Sequence, residues 1–401
     1  MTEWKTVKLS DLGEIVGGAT PSTSREEYYN GDIPWLTPKD LAGYQYRYIE
    51  KGERNITKAG LESCSSKIMP KNTVLFTSRA PIGYVAIAKN DICTNQGFKS
   101  IVPNDQTDYL FLYYLLKYNK DKIEAMGSGT TFKEVSGSTM REIEVKVPRV
   151  KDIQRKIAQV LDSIDSKIDN NRKINDNLLQ QANTIFKRWF TNNPNLDTME
   201  QIPLVDLCLV VTKGTTPTTL GKVFVSEGIN FIKAEAILDN HAIDKDKFAF
   251  IDIETNDLLK RSIINSGDIV FTIAGTLGRF ALIDDSVLPA NTNQAVAIIR
   301  ANRGIVTPEY LYSFFLGHWH NDYYTKRIQQ AVQANLSLGT IKSLPIPILS
   351  DKAMQEYIGI ISPIIKMTKA NELEITGLRA IRDTLLPQLM SGEIDVSDIA
   401  I

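Results

Sequence analysis

Cysteine is scarce here. Cys64, Cys93 and Cys208 are the only three, far apart and without CxxC spacing, which excludes a disulfide framework and a zinc site built on paired thiolates. They read as plain, mostly buried thiols. Histidine is equally rare, at His241, His318 and His320. HExxH, GxSxG and asparagine/aspartate-Pro-Pro-aromatic motifs are all missing, so zincin, serine-hydrolase and amino-methyltransferase chemistry has no motif to rest on. Long apolar runs are missing too. None approaches the roughly 20 residues of a membrane span, and the start, MTEWKTVKLSDLG, lacks the apolar core of a signal peptide. The expectation is a cytoplasmic protein without a membrane partner. Nor is there an excess of one charge: 46 Lys and Arg face 47 Asp and Glu. Residues 1–200 hold 28 basic against 25 acidic side chains, leaving 18 against 22 in residues 201–401, so any nucleic-acid surface has to be local.

What is present is organised around one stretch, residues 151–190, KDIQRKIAQVLDSIDSKIDNNRKINDNLLQQANTIFKRWF, which contains neither Pro nor Gly. Its apolar spacing predicts one helix on the order of 60 Å long, too long for the core of one small domain. With heptad position a at Ile157, Ile164, Asn171, Leu178 and Ile185, position d falls on Leu161, Ile168, Asn175, Ala182 and Trp189. Asn171 and Asn175 make a polar layer in this seam. Either they are buried and fix register, or the helix is exposed at that level; Asn371, aligned with Asn171, tilts the reading towards register. A second such stretch, residues 351–391, carries Ile361, Ile364, Ile365, Ile375, Leu378, Leu385 and Leu389. It is less regular, with Gly359, Pro363 and Gly377 inside, and Pro387 and Ser391-Gly392 expected to close it.

The globular segments before these helices repeat one another. Leu9, Asp11, Leu12, Gly18, Thr20 and Pro21 recur 195 or 196 positions later as Leu204, Asp206, Leu207, Gly214, Thr216 and Pro217. VLFTSRAPIGYVAI from Val74 is answered by IVFTIAGTLGRFALI from Ile269, and Thr94-Asn95-Gln96 by Thr292-Asn293-Gln294. Each of these pairs predicts buried strands joined by polar turns. A helix capped by Thr107 or Thr307 follows in each half, then a loop of small polar residues, a short strand and the long helix. The expected architecture is α+β (α/β): a globular segment over 1–150, a long helix over 151–191, a second segment over 192–350, and a second helix with its tail over 351–401.

With QRKIAQVLDSIDSKI, IFKRWF and LLPQLMSGEI closing these segments, the chain resembles, over nearly its full length, the specificity subunit of type I restriction-modification systems. That resemblance implies two target-recognition domains, each reading half of a bipartite site in double-stranded DNA. The two helices would pair as an antiparallel coiled coil with pseudo-twofold symmetry and set the spacer between half-sites. It further implies two methyltransferase subunits that modify adenine N6 with S-adenosylmethionine, and motor-nuclease subunits that use ATP and Mg. This chain would itself hold no cofactor, no metal and no catalytic residue.

Reading bases needs forked or amide side chains on turns, while phosphates suit Lys, Arg, Ser, Thr and backbone N–H. The candidates in the first domain are Thr20, Ser22, Lys39, Arg79, Gln96, Ser128, Thr130, Thr131 and Lys133. In the second they are Thr215, Thr216, Lys233, Arg279, Gln333 and Asn335. Arg79 is equally explained by a surface salt bridge, and the repeated Asn95-Gln96 and Asn293-Gln294 by a structural hydrogen bond to backbone. The loop GSGTTFK lacks the lysine-serine ending of a P-loop, so nucleotide binding is not expected. Helix pairing would fall to Ile157, Leu161, Ile164, Ile168, Asn171, Leu178, Ile185, Trp189, Ile361, Ile365, Leu378, Leu385 and Leu389. Two rival readings remain at this level: a protein-interaction scaffold that binds no DNA, and a nuclease or methyltransferase with cryptic motifs.

Overall fold

The computed structural model describes residues 2–129, 133–319 and 336–398. The chain divides into two compact units, residues 1–170 with 375–401, and residues 171–374.

In unit 1 a five-stranded sheet has the order Gly13–Gly17, Lys99–Pro103, Val74–Ser78, Ile82–Ala88, Tyr48–Ile49. A three-stranded sheet places Tyr29–Leu36 between Arg54–Ile56 and Cys93–Thr94, and Trp4–Lys8 pairs antiparallel with Glu144–Pro148. Unit 2 repeats the plan. Its four-stranded sheet runs Cys208–Lys213, Val296–Ala301, Ile269–Thr272, Phe280–Leu282; Ile229–Ile232 lies between Ala249–Ile251 and Ala290–Thr292; Gln201–Pro203 pairs with Pro345–Pro347. The internal repeat is thus a repeat of strand order. Val74, Leu75 and Phe76, and Ile269, Val270 and Phe271, are all buried, because central strands lose both faces to packing.

A helix covers one face of each larger sheet, Tyr109–Tyr118 in unit 1 and Pro308–Leu316 in unit 2. Thr307 caps the second by accepting from the Tyr310 N–H (3.2 Å), as its sequence suggested. In the first the cap is Asp108, not Thr107: the Asp108 carboxylate accepts from the Phe111 N–H at 3.0 Å and adds charge complementary to the helix dipole.

The long helices span Lys151–Trp189 and Asp351–Ser391. Pro387 does not close the second; Ser391 and Gly392 do. Pro363 and Pro387 both face solvent, so the carbonyls they leave unbonded can reach water. Gly392, at φ +82°, sits where a Cβ would come within 2.5 Å of the Trp4 indole.

Within unit 1, Ile157, Ala158 and Leu161 share a core with Leu389 and Met390, and Arg382 bonds Asp165 at 2.9 Å. Within unit 2, Phe186 and Phe190 share a core with Tyr357, Ile361 and Ile365. In each unit the partner's number falls as the first helix advances, so the segments in contact run antiparallel. The open question about the asparagines is answered by burial: Asn171 is 1% and Asn175 8% exposed. Asn175 donates to the Thr368 carbonyl (3.1 Å) and accepts from Asn371 (2.8 Å), while Asn171 donates to Glu374 at 2.8 Å. Such a layer is satisfied in one register only. The buried stripe contains Asp165, Ile168, Asn175, Ala182 and Phe186, whereas Ile164, Leu178, Ile185 and Trp189 are half-buried. Leu378 and Leu385 are half-buried as well, while Ile361, Ile365 and Leu389 lie fully inside. The stripe therefore drifts from the strict heptad towards the 3.6-residue period of a helix packed on a globular core.

Candidate nucleic-acid interface

The repeated turns explain themselves geometrically. A Cβ on Gly18 would lie 2.0 Å from the Thr94 carbonyl oxygen, and one on Gly214 would lie 1.9 Å from that of Thr292. Only glycine lets the two chain segments approach this closely. Asn95 accepts from the Gly97 N–H (2.9 Å) and Asn293 from the Ala295 N–H (3.1 Å), so each asparagine holds its own turn. The glutamine next to it has a different partner: the Thr20 hydroxyl donates to Gln96 Oε1 at 2.5 Å, and the Thr216 hydroxyl donates to Gln294 Oε1. Replacing Gly18 by alanine is expected to cost about 1–3 kcal/mol through overpacking, read as a lower urea midpoint. An unchanged midpoint would show that the turn yields.

Around Gln96 the fold gathers several candidates separated in sequence. Lys99 Nζ lies 3.3 Å from the Gln96 carbonyl, 3.4 Å from Ser78 Oγ and 3.4 Å from Glu134. Arg79 pairs with the same Glu134 at 3.6 Å, and Ser128 exchanges backbone hydrogen bonds with Glu134 at 2.9 and 3.0 Å. The cluster carries two cations against one carboxylate, a local positive excess the net charge conceals. Lys133 is exposed beside it, while Thr130 and Thr131 lie outside the described residues. Ser22 is bonded to Ser24 (2.9 Å), and Lys39 forms an exposed ion pair with Glu53 (2.8 Å) that raises the lysine pKa. A shallow cleft of about 380 Å³ adjoins, lined by Gly13, Glu14, Gly17, Lys67 and Arg141 among others.

Unit 2 dresses the equivalent turn differently: at the offset of 195 Arg79 falls opposite Ala274, and Arg279 opposite Tyr84. Arg279 is held by Asp239 through two bonds of 2.7 Å, a bidentate pair on the turn between two strands, and reaches the Ile237 carbonyl at 3.4 Å. Thr215 accepts from Arg261 (3.2 Å), and Lys233 lies 4.8 Å from the centre of the Phe224 ring. Gln333 and Asn335 lie outside the described residues. No signal in the sequence pointed to Lys99, Glu134, Asp239 or Arg261; Gln294 stood out only by its place in the repeat, and its oxygen meets a threonine hydroxyl instead of backbone.

The rare reactive side chains take structural places. Cys93 is buried, Cys64 and Cys208 are partly so, and none is bonded to another; burial pushes the Cys93 thiol up to about 11 and that of Cys208 to about 12. His241 stacks on Phe280 at 4.0 Å, and burial lowers its pKa to about 4, so it is neutral at pH 7. His318 is described at φ +57°, and His320 lies outside the described residues. Among the described residues no cluster of three His, Cys, Asp or Glu could hold a metal, and no helix is long and apolar enough to cross a membrane.

The type I restriction modification DNA specificity domain matches this sequence twice, over residues 1–180 and 197–376. A specificity subunit of the type I restriction enzyme MjaIX from Methanocaldococcus jannaschii is 34% identical over 412 residues, covering 99% of this chain and 95% of that protein. The HindI specificity subunit of Haemophilus influenzae is 31% identical over 188 residues, 44% of this chain and 40% of that one. In fold, the chain is similar to the crystal structure of the S subunit from M. genitalium, with a TM-score of 0.59 at 17% identity, covering 97% and 96% of the two chains. With the domain present twice, the same strand order twice and a relative matched from end to end, this chain belongs to the family of type I restriction-modification DNA specificity subunits, built from two target-recognition domains.

Proposed function

We propose that the protein reads a bipartite site in double-stranded DNA, one unit per half-site, and that its long helices set the spacer and dock two methyltransferase subunits acting on adenine N6. Catalysis, S-adenosylmethionine, ATP and Mg belong in this reading to the methyltransferase and motor-nuclease partners, and the complex works in the cytoplasm. One observation carries it: the two units share strand order and turn geometry yet present different polar side chains at matching positions. At the offset of 195 that pairs Val74 with Ile269, Arg79 falls opposite Ala274 and Arg279 opposite Tyr84, so the arginine held by Glu134 in one unit and the arginine held by Asp239 in the other stand at different places on the same turn. Equal scaffolds with unequal reading surfaces suit two different half-sites.

The test is a binding titration of the full chain on duplexes at rising salt, joined to methylome mapping of cells with and without its gene. Neutralised phosphates release counterions, so affinity is expected to fall steeply, by about 0.9 in log–log slope for each phosphate contacted. The methylome should lose one bipartite motif when the gene is removed. Salt-insensitive binding with no preference among duplexes, or an unchanged methylome, would sink the reading.

A further inference from the structure

Side chains that differ between the units suit what differs between half-sites. Those that are identical, exposed and fixed need another task. Gln96 and Gln294 are both solvent-exposed, a setting in which side chains are ordinarily interchangeable. Each nonetheless has its amide oxygen tied to a threonine hydroxyl, from Thr20 or Thr216. That bond fixes the amide plane and leaves the two N–H donors of Nε2 without a partner among the described residues. The turn itself does not need them, because Asn95 and Asn293 already close it.

Strand register adds a second observation. Gly17 is paired with Lys99 in unit 1, and Lys213 with Ala297 in unit 2. Directly paired residues point to the same side of a sheet. Each unit therefore sets one lysine on the rung next to its Gly18 or Gly214 turn, supplied by opposite strands. The residue has moved across the ladder while the charge has stayed in place. Lys213 is exposed and has no ion pair among the described residues, whereas Lys99 is half-buried and shared with Glu134 at 3.4 Å.

We propose that in each unit the threonine-held glutamine amide, joined in unit 2 by Lys213 on the neighbouring rung, forms a contact with the phosphodiester backbone of duplex DNA, common to both half-sites and blind to their sequence. The contact rests on the DNA-reading function proposed above. Amide and ammonium donors match phosphate oxygens, and an element repeated unchanged suits the one part of the duplex that does not vary.

The experiment measures the full chain on its own duplex and on an unrelated duplex. Gln96→Ala and Gln294→Ala are each expected to weaken both by about tenfold, the usual effect of losing a hydrogen bond to a charged group, with the recognised bases unchanged. Gln96→Glu keeps the size of the side chain and the threonine bond but turns a carboxylate towards the phosphate, so its loss should be larger although the surface fold is undisturbed. Lys213→Gln should lower the log–log salt slope by about 0.9. A changed base preference at one half-site would make the glutamine a base reader and overturn the proposal. So would unchanged affinity for both duplexes, including the case in which assembly with other subunits fails instead. Failure of the wild-type chain to bind DNA with salt dependence counts against the function proposed above and is seen before any variant is compared.

Discussion

Replacing Asp165 by leucine is expected to destabilise unit 1 by about 3 kcal/mol, the cost of breaking a buried pair and leaving Arg382 with only the exposed Asp383. Asp165 is 3% exposed and accepts from Arg382 (2.9 Å) and from the Tyr114 hydroxyl (2.8 Å). A turn away along the helix, Arg47 bonds Asp169 at 3.0 Å, Ser166 at 3.0 Å and Asp162, so the helix carries a continuous charged seam. Burial opposes ionisation of Asp165, but the Arg382 and Lys117 cations and the two hydrogen bonds outweigh it and hold the carboxyl below its ordinary value of 3.8. A depressed carboxyl stabilises the fold above its unfolded pKa near 3.9 and loses that contribution as pH falls through the folded pKa. Wild type should therefore weaken with acid below about pH 4 by an amount absent from Asp165→Leu. Urea unfolding, with amide exchange in the Tyr109–Tyr118 helix as the local probe, reads both effects. A midpoint shift worth less than about 1 kcal/mol would show that the seam is solvated.

Unit 2 supplies the control. At an offset of 200, Tyr114, Asp165 and Arg382 correspond to Phe314, Ile365 and Ala182, all within one apolar core. The same architecture thus forms with the triad replaced by hydrocarbon, as buried ion pairs elsewhere permit. The triple variant Tyr114→Phe, Asp165→Ile, Arg382→Ala should recover most of the stability lost by Asp165→Leu. The charges then serve register more than stability, favouring the pairing in which Arg382 meets the buried Asp165 as well as its neighbour Asp383.

Inserting one heptad after Asn170 and a second after Glu374 is expected to abolish recognition of the native-spacer site while leaving each half-site unchanged. These points fall between the units, so the Asp165–Arg382 contact of unit 1 and the Asn171–Glu374 and Asn175–Asn371 contacts of unit 2 are all kept. Seven residues add about 10.5 Å of helix, close to three base pairs of duplex. They turn an ideal helix by only about 20°, whereas three base pairs turn the DNA by nearly a third of its roughly 10.5-pair repeat. A lengthened spacer should therefore be preferred to the native one, at reduced affinity. Methylome mapping of the variant reads bases and spacing together. Retention of the native spacer would end the view of the helices as a ruler, whereas altered half-sites would place base reading on the helices.

Much of this was legible in the chain. The offsets of 195 and 196 that pair Gly18 with Gly214 and Thr20 with Thr216 anticipated a repeated strand order, because turns that need glycine leave fixed marks. The long helices were legible because 3.5 to 3.6 spacing over some forty residues has no other solution. The asparagine layer was visible, but its burial was not: an isolated helix cannot say whether its polar residues meet a second helix or water. Pro387 misled because proline's cost depends on whether the freed carbonyl faces solvent, which is a property of the packed helix.

The interface divides in the same way. Sequence pointed to Thr20, Gln96 and Arg79 by type and turn position, but the Thr20–Gln96 bond spans 76 positions and the Arg279–Asp239 pair spans 40. Local spacing encodes neither. The sequence alone determined that this protein is built twice, that each half ends in a long helix, and which family it resembles, since periodicity, glycine-dependent turns and motif strings are local properties of a chain. Tertiary structure alone decided which carboxylate restrains each arginine, which threonine orients each glutamine, and that one lysine crosses from strand to strand between the units. Those pairings are made when distant segments meet in the folded sheet, and charge and hydrogen-bond partners are chosen by proximity in space.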